Sequence, residues 1–214
     1  MWLDEAAGRS ATGRFVLYVE GARDRDIVRA WAQRLSPPLA RAVAGSAVIL
    51  GGRRPARAAS HFRELLAAGG EWRGLCVLDR DEALPAGSGG PLEEGLDVFT
   101  WRRRHIESYL LVPDAIRRGL RISPHERRQH TLRDLLPDPT DETALGALDA
   151  KRLLSRNGAL AQAVGRITPG RIARTMRPEE FHPDVHALLS RLREAFGMAS
   201  PLVAVRREPP TPRL

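Results

Sequence analysis

Five consecutive apolar or aromatic residues, Phe15 to Val19, run directly into Glu20 and Gly21. An unbroken run of this length, closed by a glycine, reads as a strand buried on both faces, the kind found in a parallel sheet covered by helices. Such a strand delivers the next residue, here Glu20, to the C-terminal edge of the sheet, where open α/β sheets hold their ligands. Gly21 is read as allowing a sharp turn at that point. Asp24 follows four residues after Glu20, at the head of a helical pattern. The design recurs at 74–81, GLCVLDRD, where an apolar run delivers Asp79 and Asp81. These two would point to opposite faces of an extended strand, so both serve one site only if the strand ends between them. Two strands bringing carboxylates to one edge make a site for a hard cation.

Strand and helix patterns then alternate. A helix over 24–35 carries Ile27, Val28, Trp31 and Leu35 on one stripe and stops at Pro37 and Pro38. Residues 39–44 suit a short helix. A second strand over 46–50 is closed by Gly51 and Gly52, a pair that suggests close backbone approach to a group such as a phosphate. Arg53, Arg54 and Arg57 stand at the head of a helix over 55–67, with Pro55 in its first turn. Strand three covers 75–78 and strand four 97–101. The glycine- and proline-rich loop 82–95 between them reads as a connector rather than a lid. A helix over 105–111 and another after Pro113 follow. This alternation predicts a parallel sheet with right-handed crossovers.

Residues 121–140 read as a linker or excursion. A helix capped by Thr140 or Asp141 is expected to reach about 156. Asp184 is expected to cap a last helix with Val185, Leu188, Leu189, Leu192 and Phe196 on one face. The expected organisation is a flexible leader over 1–13, a core over 14–120, a helical extension over 121–205 that carries Lys151, and a disordered tail over 206–214.

A chain of 214 residues with 43% hydrophobic content can build one α/β domain with such an extension. The one cysteine, Cys76, excludes a disulfide framework and reads as a buried thiol. No apolar run approaches membrane-spanning length and the N-terminus has no export pattern, so a cytoplasmic protein without membrane partners is expected. The net charge of +8 favours a polyanionic partner, DNA or RNA. Residues 101–133 hold nine Arg against three acids, beginning with Arg102, Arg103 and Arg104. That run is either a track for phosphates or an ordinary solvated face. Aromatic content of 5% favours backbone recognition over base stacking. Of the 34 Lys and Arg residues only Lys151 is lysine, a compact charge that arginine does not imitate. His125, His130, His182 and His186 read as surface residues, because no cysteine or third histidine completes a metal set.

Taken in order, VEGxxD at 19–24, the DxD at 79–81 and WRRRHIESYLL at 101–111 resemble the toprim domain of OLD-family nucleases. The last block is similar to that family's R-R-x-I-E-N-Y-L-L, with Ser108 where the pattern has Asn. LDAKRLL around Lys151 resembles a later G-K-x-L-L segment. The resemblance implies a toprim-like α/β fold with a mostly parallel sheet, and a metal-dependent endonuclease using one or two Mg²⁺ or Mn²⁺ ions. It implies Glu20, Asp79 and Asp81 as the core metal acids, with Glu20 either a ligand or a general base. Asp24 and Glu107 would complete a second site, and Lys151 would stabilise charge on the phosphate. Arg53, Arg54, Arg102, Arg103 and Arg104 are the candidate nucleic-acid contacts.

Each acid has another reading. Glu20 can interact with the N–H groups of the next helix, and Asp24 is an equally natural helix N-cap. Asp79 and Asp81 can be turn residues, and Glu107 can pair with Arg103 or Arg104 at the surface. Full-length OLD proteins join the toprim domain to an ABC-type ATPase, but no G-x-x-x-x-G-K-[ST] pattern occurs here. The resemblance is therefore to the nuclease half alone, as in the toprim effectors of anti-phage defence systems such as PARIS. A separate ABC-type ATPase is the expected partner, and homo-oligomer formation is left open. The competing function is a non-catalytic module that binds nucleic acid or a protein. Strand or nucleotidyl transfer, which would call on Tyr18 or Tyr109, ranks last.

Overall fold

The computed structural model describes residues 14–80 and 91–198. The leader 1–13, Asp81, most of the 82–95 loop and the tail 206–214 lie outside the described residues.

Four strands, β1 (Arg14–Val19), β2 (Ala47–Ile49), β3 (Trp72–Leu78) and β4 (Leu96–Thr100), form one all-parallel sheet in the order β2-β1-β3-β4. Val19 lies opposite Ile49 on one side and Val77 on the other, and Leu78 lies opposite Thr100. The fold is α/β, with a parallel sheet flanked by helices and a run of further helices after β4. From β1 the chain first adds β2 on one side, then crosses back to add β3 on the other. That reversal makes the C-terminal gap between β1 and β3 the topological switch point of the sheet.

The unbroken apolar runs follow from burial on both faces. Leu17, Val19, Leu75 and Val77 enter the larger core, while Val16, Tyr18, Cys76 and Leu78 enter the smaller one. The smaller core is covered by α3 (Pro55–Ala67) through Ala58 and Phe62. The larger core is covered by α1 (Ala22–Leu35) and α2 (Pro37–Ser46), and by the helices that follow β4. Ile27, Val28 and Trp31 of α1 are fully buried. Pro37 and Pro38 end one helix by opening the next, since proline suits a first turn.

After β4 come a 3-10 helix at Ile106–Leu110, then α4 (Pro113–Leu120), α5 (Arg127–Leu135), α6 (Glu142–Ala147) and α7 (Ala150–Leu153). They are followed by α8 (Ala159–Ala163), α9 (Pro169–Thr175), a 3-10 turn at Pro178–Glu180 and α10 (Pro183–Ala195). Leu153, Ile172 and Leu188 share one core with Val19 and Ile27, so the extension packs directly on the sheet.

Four local expectations are corrected. The segment 105–111 is a 3-10 rather than an α-helix. The supposed excursion contains α5, which buries Leu132. The helix expected from Thr140 or Asp141 to about 156 is broken into α6 and α7, because Leu148 is extended and Asp149 starts a new helix by accepting the Arg152 N–H. His182, not Asp184, caps α10: its ring nitrogen accepts the Asp184 N–H at 3.1 Å. Among the described residues no helix is long and apolar enough to cross a membrane.

Candidate functional site

Glu20 and Asp79 stand side by side where β1 and β3 end. The alternation of β3 continues past Leu78 and turns Asp79 toward the face covered by the C-terminal helices. Glu20 continues the opposite face, yet its Oε1 reaches across to accept the Asp79 N–H at 2.8 Å. The guanidinium of Arg53 donates to the Asp79 carbonyl. Asp79 is only 7% exposed. Its Oδ1 accepts the Ile106 N–H at 2.9 Å, which ties it to the 3-10 helix. Its Oδ2 lies 2.5 Å from Lys151 Nζ and 3.4 Å from His105 Nδ1.

Asp24 lies in the first turn of α1, where its Oδ2 accepts the Gly21 N–H at 2.9 Å. Gly21 is the N-cap and is extended, at φ −140° and ψ 167°. Any residue adopts that conformation, so the glycine is not needed to make the turn. Asp24 therefore serves the helix start while standing in the acid cluster. Burial, then the negative charges of Asp79 and Glu107, push its pKa up to about 7, against the Gly21 hydrogen bond and Lys151. Burial also raises the pKa of Glu20, against the N–H of Asp79.

Glu107 does not make the surface pair with Arg103 or Arg104 that sequence allowed. It is 1% exposed, its Oε1 is 3.4 Å from Arg23, and its buried Oε2 has no hydrogen-bond partner. Ser108, where the resembled pattern has Asn, is fully buried with an unpartnered hydroxyl.

Lys151 comes from α7, on the chain's far side in sequence. Burial works against its charge. The hydrogen bond to Asp79, with the charges of Asp79, Glu107 and Asp24, outweighs that and holds its pKa above the ordinary lysine value. His105 lies between Asp79 and α7, with Nε2 3.8 Å from Asp149 Oδ1 and a buried Nδ1 that has no hydrogen-bond partner. Sequence reasoning passed over it. Its only signal was its place two residues before Glu107.

Five segments thus bring four carboxylates and one ammonium together at the switch point. Carboxylate oxygens are the ligands that hard divalent cations prefer. The buried Glu107 Oε2, without a hydrogen-bond partner, is a carboxylate oxygen left open to a ligand. The donor set therefore fits Mg²⁺ or Mn²⁺ in its chemistry. In this conformation no three acids or histidines among the described residues stand close enough together to hold an ion, and Asp79 is engaged by Ile106 and Lys151.

The basic residues separate. Arg54 is exposed at the N-cap of α3, and Arg53 is partly exposed beside Asp79. Arg102 stays largely exposed while its Nε donates to Asp184 Oδ1 at 2.6 Å. Arg104 is partly exposed. Arg103 does not reach the surface. It is 7% exposed and clamps Glu142 with two nitrogens, at 2.6 and 3.1 Å, while donating to the Ser108 carbonyl at 2.9 Å. Its place in a phosphate track is thereby lost to an internal role. His182, expected at the surface, is mostly buried against Tyr109, whereas His125, His130 and His186 are exposed.

Comparison with protein-family models, with curated proteins and with solved structures returned no match.

Proposed function

We propose that this chain is a divalent-metal-dependent nuclease that cleaves the phosphodiester backbone of DNA or RNA. The observation that carries the reading is the convergence of Glu20, Asp24, Asp79 and Glu107 with Lys151 at the switch point of a parallel sheet. Glu20, Asp24, Asp79 and Glu107 are the residues that would hold Mg²⁺ or Mn²⁺, and Asp81 is a further candidate from the sequence. When bound, such an ion supplies an activated water and stabilises the leaving oxygen. Lys151 offers a positive charge to the phosphate, and the buried Asp79 and Glu107 with the partly exposed Glu20 and Asp24 present carboxylates from four segments. Arg53, Arg54, Arg102 and Arg104 can guide a backbone across the site, in keeping with the +8 charge. By the resemblance to OLD-type toprim domains, the chain acts in anti-phage defence beside a separate ABC-type ATPase.

A second reading, a non-catalytic module that binds nucleic acid or a protein, is favoured by one observation. Lys151 already pairs with Asp79, so that acid has a positive partner from within the chain. Plasmid DNA and total tRNA incubated with Mg²⁺ or Mn²⁺ separate the two. Cleavage by the native chain that Asp79→Asn abolishes supports the nuclease. Tight binding without cleavage in either metal supports the module.

A further inference from the structure

Building on the metal-dependent reading, we infer that Lys151 and a divalent cation are alternative occupants of Asp79, and that Lys151 withdraws when the cation enters. Most of what Asp79 can offer is already committed. Its N–H goes to Glu20, its carbonyl accepts from Arg53 and its Oδ1 accepts from Ile106. The remaining oxygen, Oδ2, has Lys151 Nζ at 2.5 Å and His105 at 3.4 Å. Mg²⁺ takes a carboxylate oxygen at about 2.0–2.1 Å with strict geometry. An ammonium in contact with the same oxygen competes for the same lone pairs and repels the ion at short range.

Lys151 is built to leave. Its side chain is 39% exposed, it sits on a helix of four residues, and a flexible stem can swing its charge into solvent or toward a phosphate. An arginine here would grip the carboxylate with a rigid two-pronged fork, whereas an ammonium holds one oxygen and exchanges readily. This gives a physical reason for the one lysine among the 34 Lys and Arg residues. Without a cation, Lys151 satisfies the buried carboxylate of Asp79. After exchange, the same charge is freed for substrate.

The single lysine also supplies the test. The full chain labelled with ¹⁵N-lysine has one ammonium resonance. In metal-free protein it is expected at an ion-paired position that Asp79→Asn abolishes. Titration with MgCl₂ is expected to move it, with the midpoint of the Mg²⁺ isotherm measured by calorimetry. Lys151→Met is expected to bind Mn²⁺ on the order of tenfold more tightly, since a competing charge is gone. If Mg²⁺ binds while the resonance stays in place, or Lys151→Met binds Mn²⁺ no tighter, the exchange is overturned and the nuclease reading stands. If neither protein binds Mg²⁺ or Mn²⁺ at all, both fall together.

Discussion

The Tyr109 hydroxyl donates a 2.6 Å hydrogen bond to Asp184 Oδ2, joining the 3-10 helix to α10. The same hydroxyl accepts the Arg103 N–H at 3.0 Å. The joint matters because this 3-10 helix carries Glu107 and its first amide holds Asp79. Burial keeps the phenol protonated well above its ordinary range, so the donor persists at all working pH values.

Tyr109→Phe should therefore cost about 1–3 kcal/mol, because a buried carboxylate loses a donor. Urea denaturation measures it. A cost near zero would show that Arg102 alone satisfies Asp184.

Arg103 and Glu142 should respond unequally. Arg103→Met strips a donor from the Ser108 carbonyl and should cost about 1–3 kcal/mol. Glu142→Gln should cost well under 1 kcal/mol, because Glu142 is 56% exposed and water can replace the pair. Equal losses in denaturation would contradict this account of the clamp.

Two glycines should behave as opposites. A Cβ at Gly158 would meet the backbone oxygens of Arg152 and Leu153 at 2.3 and 2.4 Å, at the end of the helix that carries Lys151. A Cβ at Gly146 meets nothing within 4 Å. Gly158→Ala should lower the melting temperature by several degrees, while Gly146→Ala should leave it unchanged or raise it slightly. Thermal melts of the two variants side by side decide the matter.

Stability should fall as pH rises through the range set by Asp24. Its carboxyl ionises near 3.8 when exposed and at about 7 in the fold. Between those values the folded chain binds the extra proton, so raising the pH favours unfolding. The penalty is absent below the lower value, complete above the upper one, and removed by Asp24→Asn. Urea midpoints from pH 4 to 8 for both proteins test the sign; parallel curves would refute it.

Cys76 is fully buried and its thiol is pushed up to about 12, by burial first and then by Glu20. Thiol reagents should label it only as fast as the protein opens. Rapid labelling of the native chain would show that the sheet opens locally at β3.

Much of the fold was legible from the chain because strand burial leaves a local mark. The runs at β1 and β3 lack alternation since both faces are covered, and their acids follow at the C-terminal edge. β1 extends the apolar run by one residue to Arg14, and α3 keeps the expected bounds of 55–67, opened by Pro55. Legibility failed at two kinds of place. The helix expected to reach about 156 breaks because Asp149, inside the same stretch, offers a competing local cap, whereas Asp184 is drawn from capping by the remote Tyr109 and Arg102.

The site divides along the same line. Glu20 and Asp79 were readable, since each ends a strand and parallel neighbours bring their ends together. Three adjacent arginines look alike in sequence, yet Arg103 is buried while Arg102 is largely exposed, because only Arg103 faces Glu142 and the Ser108 carbonyl. The contact of Lys151 with Asp79 spans 72 positions, and His105 lies between the two elements that meet there. Apolar periodicity records which face of an element is covered. It carries no record of which remote element covers it, and it is that choice, made by packing, that set the ammonium against the acid.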